Sequence, residues 1–207
     1  MERYLFLGHW TRGAGGPGAP GTGLQASERA RMEPLRLPRR VEDEPGAANL
    51  ANELAARAQP LWAGGGLRVP QAELAPALEA ALKRALSAGL IVRGLEDAER
   101  VLAGEDQGLK HVDRRTGVER GRRVSRLLVL ADDGAERFYR NVESLLRRHA
   151  PRVLALRLSV DERALGHLLF GPGQVARLLL VGHKDAVSAV LLALAAQWSG
   201  QVPPQRG

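Results

Sequence analysis

Leu127-Leu128-Val129-Leu130-Ala131-Asp132-Asp133-Gly134 is a short apolar run closed by two carboxylates and a glycine. A run of this length without polar alternation is a strand buried on both faces, as in a sheet covered by helices on either side. Residues 153–158 and 175–181 are two further runs of this kind, separated by segments of helical pattern. Residues 86–198 therefore form a compact sheet-and-helix module, and its function is to be sought at the ends of its strands.

Upstream, residues 71–88 carry the clearest helical signal. Leu74, Leu78, Leu82 and Leu86 repeat every four residues with Ala77, Ala81 and Ala85 beside them, and Gly89 is placed as a left-handed stop. Leu90-Ile91-Val92 is a short strand, and Gly94 opens a second helix over 95–103 with Leu95, Ala98, Val101 and Leu102 on one face. Residues 104–123 have no apolar period and contain Gly108, Gly117 and Gly121, so they read as a long loop. Helices are expected over 135–149, 161–170 and 185–198, and strands over 124–130, 153–158 and 175–181.

Residues 1–46 read as a disordered leader: 13–23 is dense in Gly, Ala and Pro, and 29–44 is of mixed charge with Pro34 and Pro38. Met32 offers an alternative start. Residues 47–71 hold a short helix and a linker, 72–198 the α/β domain, and 199–207 a tail. The expected architecture is a three-layer α/β/α sandwich around a four-stranded mixed sheet.

The net charge of +7 favours an acidic partner such as nucleic acid, or a membrane surface, although Arg-, Ala- and Gly-rich usage is also what a GC-rich genome writes. The chain has no cysteine, which excludes disulfides, zinc ribbons and thiol catalysis and suits an intracellular compartment. No apolar run reaches the roughly 18–20 residues that span a bilayer, and 4–7 is too short for a secretory signal. No membrane partner is expected.

Little in the sequence points to catalysis. The five histidines, His9, His111, His149, His167 and His183, have no metal-ligand spacing, and there is no Gly-x-Ser-x-Gly elbow. Asp132 and Asp133 are adjacent and do not aim at one point, so Asp133 reads as the cap of the next helix. Gly171 and Gly173 precede a strand, whereas a phosphate loop follows one, and they are turn residues. The reading is of a non-enzymatic protein without cofactor or metal. The basic segment is the stronger feature: Lys110, Arg114, Arg115, Arg120, Arg122, Arg123 and Arg126 stand against Asp113 and Glu119 alone. Such a segment either neutralises phosphates or is a solvated insertion. Aromatic content of 4%, with no aromatics among these arginines, disfavours a stacking platform for single strands.

The order of several local strings resembles the kink-turn RNA-binding ribosomal-protein superfamily of the L-seven-Ae and L-thirty-e type. The strings are Ala88-Gly89-Leu90-Ile91-Val92-Arg93-Gly94 with the helix that follows, the strand at 127–133 ending Ala-Asp-Asp, and Leu165-Gly166 before Gly171 and the 175–181 strand. The resemblance covers residues 72–198. It implies an α/β/α sandwich that meets structured RNA with the glycine-led helix and a loop near the third strand. Carried over by motif, the contact residues are Gly94, Glu96, Asp97 and Arg100, with Leu158-Ser159-Val160 as the loop. Glu96-Asp97 stands where that family has Asn-Glu, which puts a carboxylate near phosphates. The basic insertion, with Lys110, Arg114, Arg115, Arg122 and Arg123, is a second departure. The expectation is a subunit of a ribonucleoprotein particle (ribosome-, small-nucleolar- or ribonuclease P-like) engaged in RNA processing. It would reside in the nucleus or nucleolus of a eukaryote or the cytoplasm of a bacterium, with RNA and other particle subunits as partners. The alternative is a protein-interaction adaptor of the same fold that has lost RNA binding.

Overall fold

The computed structural model describes residues 35–116 and 123–200. Residues 1–34 of the expected leader with Met32, the segment 117–122 with Arg122, and residues 201–207 of the expected tail lie outside the described residues. Seven α-helices and six strands are described. In chain order they are α1 (Arg39–Glu42), a 3-10 turn (Pro45–Ala47), α2 (Leu50–Ala56), β1 (Ala58–Pro60), β2 (Arg68–Ala72), α3 (Pro76–Ser87) and β3 (Ile91–Arg93). There follow α4 (Leu95–Thr116), β4 (Arg126–Leu130), α5 (Glu136–Arg148), β5 (Val153–Leu158), α6 (Glu162–Phe170), β6 (Leu178–Val181) and α7 (Lys184–Ser199).

The strands form one mixed open sheet in the order β1-β2-β5-β4-β6-β3. Strand β4 is central, parallel to β5 on one side and antiparallel to β6 on the other. Because β2 is parallel to β5 and β3 antiparallel to β6, the strands β2, β5, β4 and β3 all end at the same edge of the sheet. Side chains alternate between faces along each strand. Leu127, Val129, Leu154, Leu156, Leu158, Leu179 and Val181 face a core closed by α1, α2, α3, α6 and α7. Leu128, Leu130, Val153, Ala155, Leu178 and Leu180 face a second core closed by α4 and α5. Helices thus cover both faces, as the unbroken apolar runs require.

The sheet has six strands and not the expected four. The two additional strands come from residues read as linker and as the start of a helix. Helix α3 begins at Pro76, whose fixed φ suits a first helical position, and 68–72 ahead of it is extended. Pro70 is tolerated there because β2 changes partners: residues 68–70 pair with β1, and only Gln71 and Ala72 pair with β5. The expected leader over 1–46 overlaps the packed domain. Leu37 and Val41, with Leu50 and Leu54 of α2, are buried in the first core, so residues 35–72 belong to the packed domain. At the end of α3, Gly89 takes φ +68° while Gly89 N–H donates to Leu86 O and Leu90 N–H to Ala85 O. Those two bonds close the expected left-handed stop.

The expected loop over 104–123 is helical as far as Thr116. Gly104 and Gly108 sit in open space on α4 and do not break it. Ion pairs hold this part of the helix. Glu105 accepts from Arg126 at 2.8 Å and from Arg152 at 2.5 Å, and Asp106 accepts from Arg152 at 2.6 Å with His149 Nδ1 2.7 Å away. Arg152 is buried, so these carboxylates satisfy a charge that has left water. Asp133 does not cap α5 either. Its carboxylate accepts from Glu162 N–H at 3.1 Å, tying the end of β4 to the start of α6.

Replacing Glu105 with Ala leaves Arg126 without its partner and Arg152 with Asp106 alone. The expected loss is about 2–3 kcal/mol, toward the low end for a broken buried pair because Asp106 remains. Amide hydrogen exchange should quicken over 104–116 and stay slow over 95–103; uniform protection in the variant would show that the ion pairs do not hold the helix.

Candidate nucleic-acid interface

The edge at which β2, β5, β4 and β3 end is knitted by backbone hydrogen bonds between chain segments far apart in sequence. Ser159 N–H donates to Ala72 O, Asp132 N–H to Val160 O, Ala131 N–H to Arg177 O and Gly94 N–H to Leu178 O, at 2.9–3.0 Å. Carboxyl ends of parallel strands are where open α/β sheets place ligands, and the bonds leave the side chains at this edge free to face solvent.

At one end of the edge Gly94 adopts φ +95°, a conformation that an L side chain rarely takes, and turns β3 into α4. Its own N–H is used by Leu178, so any anion at this helix start would meet the N–H groups of the following turn. Glu96 and Asp97 are exposed in that turn. Arg100 is exposed and its guanidinium donates to Asp97 at 2.7 Å. Beside them Arg93, which the sequence reading passed over, stacks on Phe170 with its guanidinium 5.0 Å from the ring centre and donates to Gln174 at 3.0 Å.

Three strand spacings away, about 14 Å, lies the 158–160 loop. Leu158 is buried in the first core, Ser159 is exposed and Val160 is half-buried. The structure therefore brings Gly94, Glu96, Asp97 and Arg100 to the same sheet edge as Ser159 and Val160. Leu158 anchors the loop from below and has no exposed surface to offer a ligand.

The basic insertion does not join them. Lys110, Arg114 and Arg115 sit on the last turns of α4, and Lys110 is sixteen residues beyond Gly94, or about 24 Å along the helix. Arg123 is structural: its guanidinium donates to Leu37 O at 2.9 Å and pairs with Glu42, fastening α1 to the start of β4. Arg122 lies outside the described residues.

A recess of about 270 Å³ opens beside the loop, lined by Gln71, Asp132, Arg157, Leu158 and Ser159. Alternation explains its polar lining: on β5, Arg157 and Ser159 follow Val153 and Ala155 on the α5 side of the sheet. Gln71 is the strand partner of Arg157, and Asp132 follows Leu128 and Leu130 on that face. With the Gln71 amide oriented so that its oxygen faces the guanidinium, that oxygen accepts from Arg157 Nε at 2.8 Å and from Arg157 Nη2, and Arg157 Nη1 reaches Leu61 O at 3.4 Å. Tyr139 lies behind Arg157, whose guanidinium is 5.9 Å from the ring centre. The Tyr139 hydroxyl donates to Ala131 O at 2.9 Å and accepts from Gly134 N–H at 3.1 Å, fixing the turn that carries Asp132. Burial raises the Tyr139 pKa above the ordinary phenol value, which keeps that donor in place.

The segment bearing Leu61 is itself latched. Glu143 of α5 accepts from Trp62 Nε1 at 2.7 Å, from Gly66 N–H at 3.2 Å and from Arg147 at 2.6 Å, while Arg140 covers the Trp62 ring at 4.7 Å. A side chain at Gly65 would run into that ring, so Trp62 is packed and not a free stacking surface. Among the described residues no group of three or more His, Cys, Asp or Glu is placed to hold a metal ion. Among the same residues no helix is long and apolar enough to cross a membrane.

No family model matches this chain, and no curated protein matches it significantly.

The latch carries a pH dependence. Burial alone would push Glu143 up, but hydrogen bonds from Arg147, Trp62 and Gly66 outweigh it and hold the carboxyl below its ordinary value. Its contribution is therefore complete above the ordinary carboxylate range, about pH 4.3, and is lost as pH falls through the lowered folded value. Glu143→Gln should cost about 1–3 kcal/mol at neutral pH and flatten the acid limb of a stability-against-pH curve from denaturant titration. An unchanged acid limb would show that Glu143 does not hold the latch.

Proposed function

We propose that this chain is a non-enzymatic RNA-binding protein, a subunit of a ribonucleoprotein particle, that meets structured RNA along the sheet edge running from Gly94 to Ser159. The observation that carries the reading is a convergence. The glycine-led start of α4 and the loop after β5 are separated by more than sixty residues, and they come to one edge of one sheet through Leu178, Ala131 and Val160. The resemblance to kink-turn binders assigns those same two segments to RNA. Arg93 and Arg100 supply the exposed cations nearest the helix start, and the amide groups of its first turn supply neutral donors. The basic turns at the far end of α4 form a second, separate region for phosphates.

One observation favours the adaptor instead. Glu96, Asp97, Asp132 and Asp133 are all exposed at the same edge, and carboxylates there oppose an RNA backbone. Asp97 further holds the Arg100 guanidinium.

Titration of a kink-turn RNA and a plain duplex against the protein over a range of salt separates these readings. Under the RNA reading, Arg93→Ala and Arg100→Ala should each weaken binding and lower the salt slope by about 0.7–0.9. Arg123→Ala should reduce stability and leave the slope unchanged. Glu96→Asn, which removes a charge and restores an amide, should tighten the kink-turn complex. Absence of binding at low salt, or slopes indifferent to Arg93 and Arg100, would overturn the proposal in favour of the adaptor.

A further inference from the structure

We infer that the recess between the ends of β2, β5 and β4 is a site for a single unpaired guanine base. The inference rests on the RNA reading for its physiological source and on the recess itself for its chemistry. At about 270 Å³ the recess lies just below the range of drug-sized pockets, roughly 300–1,000 Å³. It takes one base and leaves the sugar and phosphate outside.

The donor and acceptor inventory selects the base. Among the described residues the Asp132 carboxylate and the Ser159 hydroxyl make no hydrogen bond. Arg157 Nε and Nη2 meet the Gln71 oxygen and Nη1 meets Leu61 O, which leaves one further N–H on each terminal nitrogen of a guanidinium 5.9 Å from the Tyr139 ring centre. Turning the Gln71 oxygen to Arg157 leaves its amide NH2 as a donor. The recess therefore offers one acceptor-only group, Asp132, with donors from Arg157, Gln71 and Ser159.

An ionised carboxylate accepts two hydrogen bonds side by side. Guanine presents N1–H and the 2-amino group next to each other, with O6 and N7 as acceptors on the adjoining edge. Adenine and cytosine place a ring-nitrogen lone pair beside their amino group, and uracil flanks its single N–H with two carbonyls. Each of those bases would turn a lone pair toward Asp132. Guanine alone matches the carboxylate on one edge and the guanidinium on the next, and base edges of this kind are read in unpaired RNA.

Strand β2 makes the site possible. Gln71 pairs with Arg157 and fixes the direction of its guanidinium, and β2 falls almost wholly outside the segment that resembles kink-turn binders. The recess is thus a feature of this chain's own extension of the sheet.

The test uses an oligoribonucleotide with one unpaired guanosine, the same strand with inosine at that position, and free guanosine and inosine 5′-monophosphates. Inosine lacks only the 2-amino group. The protein should prefer guanosine over inosine by about tenfold, the size of one good bidentate contact, and Asp132→Asn should abolish the preference. The Asp132 side chain is exposed, so the variant should fold with unchanged far-ultraviolet circular dichroism. RNA binding with equal affinity for guanosine and inosine, or a preference that survives Asp132→Asn, would overturn the recess assignment while leaving the RNA reading intact. Selective binding of guanosine monophosphate without binding of any strand would overturn the RNA reading and keep the recess as a nucleotide site. If neither strand nor nucleotide binds, both fall.

Discussion

The pairing of β4 with a parallel neighbour on one side and an antiparallel neighbour on the other determines the polarity of the whole sheet. Once β5 and β6 are registered on Leu127 to Leu130, the remaining strands can add only at the two outer positions. Their directions bring four carboxyl ends to one edge. That strand is buried on both faces, and each of its leucines contributes roughly 1.5–3 kcal/mol relative to exposure. A one-residue slip would exchange the side chains of the two cores, which differ in shape and partners, so register is strongly specified. The site inherits its geometry from this constraint.

The two edges of the sheet are satisfied differently. At the edge where β4 and β5 begin, side chains neutralise one another: Arg126 and Arg152 with Glu105 and Asp106, and Arg123 with Glu42. Those charges are committed to the fold and have little left for a ligand. At the other edge the backbone closes the gaps, through Gly94, Ala131, Asp132 and Ser159, and side chains such as Arg93, Asp132 and Ser159 remain at the surface. A basic sequence segment is therefore a poor guide to a basic surface. Of the cations read as an RNA arm, Arg123 and Arg126 are absorbed into ion pairs, and the others that are described occupy the far end of α4.

The strands expected over 124–130, 153–158 and 175–181 were legible because a strand buried on both faces leaves an unbroken apolar run, although the first begins at Arg126 and the last only at Leu178, and α5 and α7 were legible because their buried residues recur at helical spacing. Gly89 and Gly94 were legible because a left-handed turn all but requires glycine. What escaped was held by partners distant in sequence. Strand β1 has three residues and β2 five, and Pro70 argues against a strand until its change of partner is seen. The second half of α4 has the glycines of a loop, and only Arg152, nearly fifty residues on, shows why Glu105 and Asp106 stay helical. The recess was equally hidden. In the sequence Asp132 is only the neighbour of Asp133 in a pair that does not aim at one point, and its relation to Arg157 and Gln71 exists only through strand alternation across three strands.

The segment 35–72 has a consequence for function beyond covering apolar surface. Its first part, with Leu37, Val41, Leu50 and Leu54, closes one core, and its second part lays β2 along β5 and carries Leu61 and Gln71 to the guanidinium of Arg157. Without β2, Arg157 would be an exposed cation on an edge strand, free to rotate and suited to any phosphate. With it, the same side chain is held by Gln71 and Leu61 O within the recess that Asp132 also lines. The Trp62–Glu143 latch holds the turn that makes this arrangement rigid. The surroundings of Arg157 are thus set by the extension, whereas Arg93 and Arg100 stand at the other end of the edge, beside the helix start at Gly94.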